Sequence, residues 1–208
     1  MSVYDDLARL GSATVYEGGG RGGFVDADLV QVVPGSRAAG PARTVRCAQG
    51  DNLMVHAAMA ALQPGEVLVL TMPEPAPFAL FGGLLATQAR ARGAAAVLVD
   101  ASVRDVEELA ALGPPTWARW VRVRGAVKEE PGALDVAVAV GGAEIRPGDA
   151  VVLDADGVAV VAADRLEAVL KGAFEREEKE RVKAEKLAGG ALSYDLDGLR
   201  AKVEGAAG

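Results

Sequence analysis

The sequence predicts an α/β fold, in which short strands alternate with helices around one buried core. Glycine and proline divide the chain into short segments, the apolar segments are mostly Val-rich runs of strand length, and helical patterns lie between them. The chain has 208 residues, of which half are hydrophobic and a quarter are charged. This is enough apolar material for one buried domain with a helical tail.

The strands are predicted where Val-rich runs are bounded by turn residues. In chain order they lie near residues 29–33, 42–47, 66–70, 95–99, 120–124, 134–140, 150–154 and 157–161.

Three helices are predicted between these strands. The first, at about 51–62, follows Asp51 as a candidate N-cap and stops before a Gln-Pro-Gly sequence. The second runs from about 82 to 92, and the third lies near 103–112 and ends at Gly113. The glycine run at 18–23 predicts a loop, because it lacks the Gly-Lys-Ser/Thr ending of a phosphate loop.

The last part of the chain has a different character. A helical pattern begins after Asp164, and the stretch from Glu175 to Lys186 is almost entirely charged. Core burial alone cannot hold such a helix, so it is either solvated or packed against another subunit. We therefore divide the chain into an α/β domain at 1–163 and a C-terminal helical tail at 164–208.

Composition argues against several classes of protein. The net charge of -7 opposes the phosphate attraction on which nucleic-acid binding depends. The N-terminus lacks a secretory signal, and no apolar run approaches the roughly 20 residues that span a membrane, so we expect a cytoplasmic protein. Cys47, the single cysteine, is predicted to be a core residue. His56, the single histidine, is expected to have a structural role near or below the site, since no catalytic serine motif accompanies it.

The segment from Gly82 to Asp105 combines features of a ligand site. It predicts a helix that opens at a glycine pair, then a buried strand, then a polar cluster at the carboxyl end of that strand, where open α/β folds bind ligands. The first N–H groups of the helix suit a carboxylate. Arg104 can bind a carboxylate or an oxo group, and Asp105 can bind Mg²⁺. Taken by itself, however, an Arg-Asp pair is more often a surface or capping pair.

With these residues in place, the sequence resembles the class II 4-hydroxy-4-methyl-2-oxoglutarate/4-carboxy-4-hydroxy-2-oxoadipate aldolases, which share a fold with the regulator of ribonuclease E activity. The resemblance covers nearly the whole chain. It is carried by residues 13–17, 20–21, 40–45, 50–56, 92–93, 100–105, 147–149 and 154–158. In the tail, Glu177–Glu180 and Tyr194–Arg200 are similar to the aldolases, whereas the shorter regulators generally stop sooner.

The resemblance implies a mixed αββα fold related to swivelling phosphohistidine domains, assembled as homotrimers that commonly pair into homohexamers. It implies that Asp105 binds Mg²⁺ or Mn²⁺ through a water-rich shell and that Arg104 contacts the oxo group of the substrate. The pyruvyl carboxylate is then received by the backbone of Gly82, Gly83, Leu84 and Leu85.

The resemblance also implies that the C-terminal tail at 164–208 packs on a neighbouring subunit and that an acidic residue of the tail completes the site there. Glu180 is the better match by position, and Glu177 is the second. One position departs from the aldolase pattern: these enzymes usually have Glu or Asp where this chain has Gly83. This departure bears on the rate or the identity of the reaction.

We therefore expect a metal-dependent aldolase that releases pyruvate and a second oxo acid from a small 4-hydroxy-2-oxo di- or tricarboxylic acid, with oxaloacetate decarboxylation as a side activity. A Schiff-base mechanism is disfavoured, because none of the six lysines lies inside an apolar strand where burial would lower its pKa. Two alternatives remain open. One is a non-catalytic binding protein similar to the ribonuclease regulators, and the other is a family member recruited to another enolate reaction in biosynthesis.

Overall fold

A computed structural model describes residues 2–205. The helices are α1 (Val3–Leu10), α2 (Ser12–Gly18), α3 (Leu53–Ala61), α4 (Gly83–Ala91), α5 (Val106–Leu112), α6 (Leu166–Ala188), α7 (Ser193–Leu196) and α8 (Leu199–Glu204). The strands are β1 (Val30–Gln31), β2 (Ala38–Arg46), β3 (Val67–Thr71), β4 (Ala79–Phe81), β5 (Ala96–Val103), β6 (Thr116–Val121), β7 (Ala133–Leu134), β8 (Val138–Val140), β9 (Ala143–Ile145), β10 (Ala150–Leu153) and β11 (Val158–Val161).

One mixed sheet organises the chain. Its strand order is β1-β6-β5-β3-β2-β10-β11, with β4 added beside β5 and β7 beside β2. The inner strands β2, β3, β5 and β6 are parallel, whereas β10, β11 and β1 join antiparallel at the two ends. Strands β8 and β9 form a separate hairpin. The predicted mixed α/β fold with a C-terminal helix is confirmed.

Strand β5 lies between two layers of core and positions the polar turn that follows it. Every residue of β5 is buried. Val97, Val99 and Val103 face a cluster formed with α3, α4 and α5, whereas Leu98 faces the β8–β9 side. Because successive side chains of a strand point to opposite faces, a Val-rich run without polar alternation suits such a central strand.

Several helices and strands begin or end at residues other than the predicted ones. The sequence analysis did not predict α1 and α2, although Ser2 and Asp5 form a capping box, in which Asp5 N donates to Ser2 Oγ at 3.2 Å. The third predicted helix begins at Val106 and not at 103, because β5 continues through Val103. The strand predicted at 120–124 lies earlier, at Thr116–Val121, and the one predicted at 134–140 is interrupted.

Helix α6 begins against its own chain and continues into solvent. Val169 and Ala173 are buried in a cluster with residues of α1 and α2. Beyond them most side chains are exposed, and Glu177 forms an ion pair with Arg9 of α1 at 2.5 Å. The division at residue 163 and the packing of the charged stretch on a neighbouring subunit stay predictions.

Among residues 2–205 there is no helix with the length and apolar character required to cross a bilayer.

Candidate active site

A cleft of about 150 Å³ opens at the carboxyl end of β5. The start of α4, the turn after β5, helix α3, strand β4 and a loop that follows β6 contribute to its walls. The lining residues are Asn52, His56, Ala79, Phe81, Gly82, Leu84, Leu85, Arg104, Asp105, Glu108 and Lys128. The structure therefore brings together the predicted residues of the glycine loop and the Arg-Asp pair.

Asp105 is held by a tight turn between β5 and α5. Its backbone is left-handed, with φ 59° and ψ 47°, a conformation that Asp tolerates better than most residues. The turn directs the carboxylate to the start of α4, where Gly83 N donates to Oδ2 at 3.1 Å. A Cβ atom on Gly82 would lie 2.7 Å from the same oxygen, so only glycine allows this approach without displacement.

The side chain of Arg104 lines the cleft and lies close to two glycines, Gly82 and Gly125. Its Nε lies 3.6 Å from Asp105 Oδ2, and about half of the side chain is exposed. Its Nη1 lies 2.8 Å from the position that a Cβ on Gly125 would take. Arg104 thus keeps donor N–H groups available for an anion while Asp105 lies beside it.

Glu108 was not predicted as a site residue, and the structure places it in the cleft. Its Oε2 lies 1.9 Å from the position that a Cβ on Gly83 would take. The Glu108 carboxylate therefore lies against the start of α4, at Gly83. The signal in the sequence was the i, i+3 spacing of Asp105 and Glu108 across the first turn of a helix.

The start of α4 offers unpaired backbone donors. Gly82 is the N-cap in an extended conformation and has no side chain to cap the helix, and Asp105 accepts only the N–H of Gly83. The helix geometry leaves the N–H groups of Leu84 and Leu85 without intrahelical acceptors. The side chain of Leu84 is 88% exposed, so it does not shield them. A carboxylate can bind at this point, as helix N-termini favour anions.

Helix α3 adds Asn52 and His56 to the cleft. Asn52 Nδ2 donates to Leu80 O at 3.1 Å, which fixes the amide, and its Oδ1 is buried with no donor among residues 2–205. Burial, together with the charge of Lys128, lowers the pKa of His56 below its usual value. At neutral pH the imidazole is therefore uncharged and can accept a proton. The structure places His56 in the lining of the cleft, near the site as predicted, and its structural role stays a prediction.

The acidic residues of the cleft fit a hard divalent cation. Within residues 2–205 no group of three or more His, Cys, Asp or Glu side chains is arranged to hold a metal ion. Asp105 and Glu108 provide two carboxylates at the start of α4. Mg²⁺ and Mn²⁺ accept one or two carboxylates and fill their other positions with water or substrate oxygens, so this donor set suits them.

Glu177 and Glu180, the predicted acidic residues of α6, lie outside the cleft of their own chain. Glu177 is bound by both terminal nitrogens of Arg9, at 2.5 Å and 3.1 Å. Glu180 pairs with Arg176 one turn earlier in the same helix, at 2.6 Å. Entry of either residue into a neighbouring cleft stays a prediction. The ion pair of Glu180 lies within α6, whereas that of Glu177 joins α6 to α1.

The prediction for Cys47 is confirmed, since its side chain is buried in the core. Burial raises the pKa of the thiol to about 12, which keeps it protonated and unreactive at neutral pH.

The fold and the cleft define a mixed α/β protein with a polar cleft at the carboxyl end of β5, whose residues suit an anion and a divalent cation. Its family follows from comparison with known proteins. Residues 3–160 match the RraA-like family, described as Aldolase/RraA, and the chain belongs to this family.

Similar proteins are named either as aldolases or as RraA proteins. A protein of Halalkalibacterium halodurans named "Putative 4-hydroxy-4-methyl-2-oxoglutarate aldolase" is 34% identical over 165 residues, which cover 79% of this chain and 76% of that protein. The crystal structure of Streptomyces coelicolor RraAS2, called an unusual member of the RNase ES inhibitor RraA protein family, has 30% identity and a TM-score of 0.77 and covers 88% of this chain and 95% of that one. The RNA-processing inhibitor RraA from Thermus thermophilis has 31% identity and a TM-score of 0.62, with coverage of 67% and 85%. The aldolase names support lyase activity in general.

Proposed function

We propose that this protein is a divalent-metal-dependent lyase that cleaves the carbon–carbon bond of a 4-hydroxy-2-oxo acid such as 4-hydroxy-4-methyl-2-oxoglutarate, releasing pyruvate and a second oxo acid. The observation that carries the proposal is one cleft that combines a free helix start, a guanidinium and two carboxylates, in a chain of the Aldolase/RraA family. Each of these groups can meet one chemical requirement of the reaction.

The first requirement is to bind the pyruvyl end of the substrate. The N–H groups of Leu84 and Leu85 at the start of α4 can bind its carboxylate. Arg104 donates to the C2 oxygen, which becomes negatively charged as the carbon–carbon bond breaks. The guanidinium contributes most when this charge has developed, and such differential binding accelerates the reaction.

The second requirement is to stabilise the enolate left on the pyruvyl fragment. A divalent ion supplies a Lewis acid for this charge when it is bound. Asp105 and Glu108 would hold it at the start of α4, beside Arg104. The left-handed turn at Asp105 and the hydrogen bond from Gly83 fix the first of these carboxylates.

The third requirement is a base for the proton of the C4 hydroxyl group. His56 is uncharged at neutral pH and lines the cleft, so its imidazole nitrogen can accept this proton. Loss of CO₂ from oxaloacetate leads to the same enolate without a C4 hydroxyl group, so it needs Arg104 but no base.

The proposal is tested by measuring pyruvate release from 4-hydroxy-4-methyl-2-oxoglutarate and 4-carboxy-4-hydroxy-2-oxoadipate. The purified protein should release pyruvate in Mg²⁺ or Mn²⁺, lose this activity in EDTA and decarboxylate oxaloacetate more slowly. Full activity in EDTA, or inactivation by borohydride in the presence of pyruvate, would contradict the metal mechanism and favour a Schiff base.

The names of the RraA structures favour a second candidate function, inhibition of an RNA-processing enzyme by surface binding. A protein with this function alone would release no pyruvate from either hydroxy acid and no CO₂ from oxaloacetate. It would also slow cleavage of an RNA substrate by a purified ribonuclease E-type enzyme. The same preparation should therefore be assayed in both ways.

A further inference from the structure

The turn at residues 50–52, just before α3, is attached to the loop that contributes Lys128 to the cleft. Helix α3 carries His56, and both His56 and Lys128 line the cleft. The central residue of the turn is Asp51, which is buried and does not line the cleft itself. The proposed reaction gives Asp51 no role, so a buried carboxylate at this place needs a separate explanation.

Both carboxylate oxygens of Asp51 accept backbone hydrogen bonds, and they do so from two segments that are distant in sequence. Oδ1 accepts the N–H of Leu53 at 2.7 Å, in the first turn of α3. Oδ2 accepts the N–H groups of Glu129 at 2.6 Å and Glu130 at 2.9 Å. Because both oxygens are engaged and the residue is buried, Asp51 acts on the cleft only through these attachments.

Backbone hydrogen bonds attach the same loop on the other side of Lys128. Asn52 N donates to Val127 O at 2.9 Å, and Val127 N donates to Gly50 O at 3.0 Å. Lys128 thus lies between two neighbours that are both attached to the turn before α3.

The loop itself has little buried surface. Residues 127–132 are all exposed, and none of them belongs to a helix or to one of the strands β1 to β11. Burial of apolar side chains therefore stabilises the loop little. Its hydrogen bonds to residues 50–52 are the main attachment, and a segment held in this way opens easily when one attachment is lost.

Asp51 is ionised in this position. Burial would raise its pKa, but the three backbone donors and the charge of Lys128 outweigh burial, so the pKa lies below its usual value. An uncharged carboxamide cannot replace the carboxylate fully, because its NH₂ group would face at least one of the three N–H donors. The attachment therefore depends on the charge and on both acceptor oxygens.

We propose that Asp51 is a positioning residue of the active site: its carboxylate holds the 127–130 loop against the start of α3, so that Lys128 keeps a fixed place in the same cleft as His56. The catalytic consequence rests on the proposed function, in which His56 accepts the proton of the C4 hydroxyl group. Release of the loop would change the surroundings of this imidazole and slow proton transfer, because small displacements in a site cost much of the rate.

The single histidine of the chain reports on the position of Lys128. In an NMR spectrum of the full-length protein with Mg²⁺, the histidine ring signals belong to His56 alone, so its pKa can be measured by titration. Burial and the charge of Lys128 hold this pKa below the usual value. In Asp51→Asn the released loop should carry Lys128 away, so we expect the pKa of His56 to rise.

The direction of this change separates movement of the loop from a direct charge effect. Removing a nearby negative charge would by itself lower the pKa of a histidine. Lys128→Met should also raise the pKa of His56, and adding Asp51→Asn to it should cause no further rise. The other charged side chains that line the cleft, or the groove between α3 and α4 that His56 also lines, are the same in all of these variants: Arg92, Arg104, Asp105 and Glu108.

Asp154 provides a matched control away from the cleft. It is also buried and accepts three hydrogen bonds, from Ser12 N at 2.7 Å, Ser12 Oγ at 2.6 Å and Asp156 N at 3.0 Å. Asp154→Asn should lower the melting temperature much as Asp51→Asn does, but it should leave the pKa of His56 unchanged.

The two variants should also differ in their kinetics. Asp51→Asn should slow pyruvate release from the hydroxy acid about tenfold, with little change in oxaloacetate decarboxylation, which needs no base. Asp154→Asn should change neither rate in the folded protein.

Hydrogen exchange in the wild-type protein tests the attachment without any substitution. Residues 128, 129 and 130 are all exposed, but only Glu129 and Glu130 donate their N–H groups to Asp51. These two N–H groups should exchange at least about tenfold more slowly than that of Lys128. This measurement is decisive even if Asp51→Asn does not fold.

An unchanged or lowered pKa of His56 in Asp51→Asn, the same rise in Asp154→Asn, or equally fast exchange at residues 128–130 would overturn the assignment. Pyruvate release that is unchanged in Asp51→Asn would do so as well. Failure of the proposed function gives a different pattern. In that case the pKa and exchange results are as expected, but the wild-type protein releases no pyruvate from either hydroxy acid.

Discussion

The cleft at the end of β5 and the groove beside α2 differ in how their polar groups are used. The groove, about 250 Å³, is the more voluminous of the two and runs past Tyr16 and Arg165. Its polar groups are satisfied internally: Arg146 pairs with Glu144 at 2.6 Å, Asp149 accepts two backbone N–H groups, and Arg165 donates to Gly19 O. The cleft is smaller, but its cations and carboxylates have few partners. The candidate site differs from the groove in that its charged groups have few partners, and not in having the greater volume.

The largest expected effect concerns Asp105, and it should separate the cleft from the groove. Asp105→Asn keeps an acceptor for Gly83 N and tolerates the left-handed turn, but it removes the charge. We expect pyruvate release to fall roughly a thousandfold, since the ion would be lost. The matched control is Asp149→Asn in the groove, which should lower the melting temperature but leave kcat in the folded protein nearly unchanged. Equal losses of kcat would contradict the comparison.

The next effect distinguishes proton transfer from enolate stabilisation within the cleft. His56→Gln should slow cleavage of the hydroxy acid about a hundredfold, because the proton acceptor is lost. Decarboxylation of oxaloacetate, which needs no such base, should change little.

The pH dependence gives an independent measure of the same group. Because burial and Lys128 lower the pKa of His56, protonation should reduce the aldolase rate only as pH falls below the usual histidine range. This acid limb should be absent from the decarboxylation profile. A loss of both activities in His56→Gln would assign the residue to structure and not to proton transfer.

A third effect tests the proposal that Glu108 is the second carboxylate that holds the metal ion. A side chain at Gly83 meets Glu108 Oε2, the flexible end of that residue, so Gly83→Asp should displace Glu108 and bring two acidic groups together. We therefore expect Gly83→Asp and Glu108→Ala each to lower kcat/KM about tenfold or more, and the double variant to recover part of the loss. The midpoint of Mg²⁺ activation should follow the same order. Additive losses would show that the two positions do not share one role.

The smallest expected effect separates two acidic residues of α6. Glu180→Gln should lower the rate about tenfold if Glu180 reaches a neighbouring cleft. Glu177→Gln should change the rate little, because Glu177 is bound by Arg9 of its own chain. Mixing Arg104→Ala with Glu180→Gln protomers, after native mass spectrometry has shown subunit exchange, should restore some activity. No recovery despite exchange would contradict a shared site.

The sequence predicted the central part of this fold well, because buried strands and glycine-opened helices leave strong local patterns. Strand β5 and helix α4 lie where the Val-rich run and the Gly82-Gly83 pair indicated. The glycine loop follows β4 and the Arg104–Asp105 pair follows β5, and these two parallel strands end at the same edge of the sheet.

Other parts of the site depend on contacts distant in sequence. Glu108 became a candidate only when the structure showed its carboxylate over Gly83. The loop that carries Lys128 is attached at the cleft by hydrogen bonds from the N–H groups of Glu129 and Glu130 to Asp51. Asp51 lies far earlier in the chain, and no local pattern encodes this attachment. The i, i+4 relation of Asn52 and His56 was visible, but their approach to the cleft depends on how α3 packs on the sheet.

The most direct test of this account is a crystal structure of the protein with Mn²⁺ and oxalate, a planar dicarboxylate that resembles the pyruvate enolate. Anomalous scattering identifies the manganese position without reference to activity. We expect the peak in the cleft, within coordination distance of Asp105 or of waters bound to it, with oxalate beside Arg104 and the start of α4. A manganese peak in the groove beside α2, with none in the cleft, would contradict the central claim that the unpaired charges of the cleft form the active site.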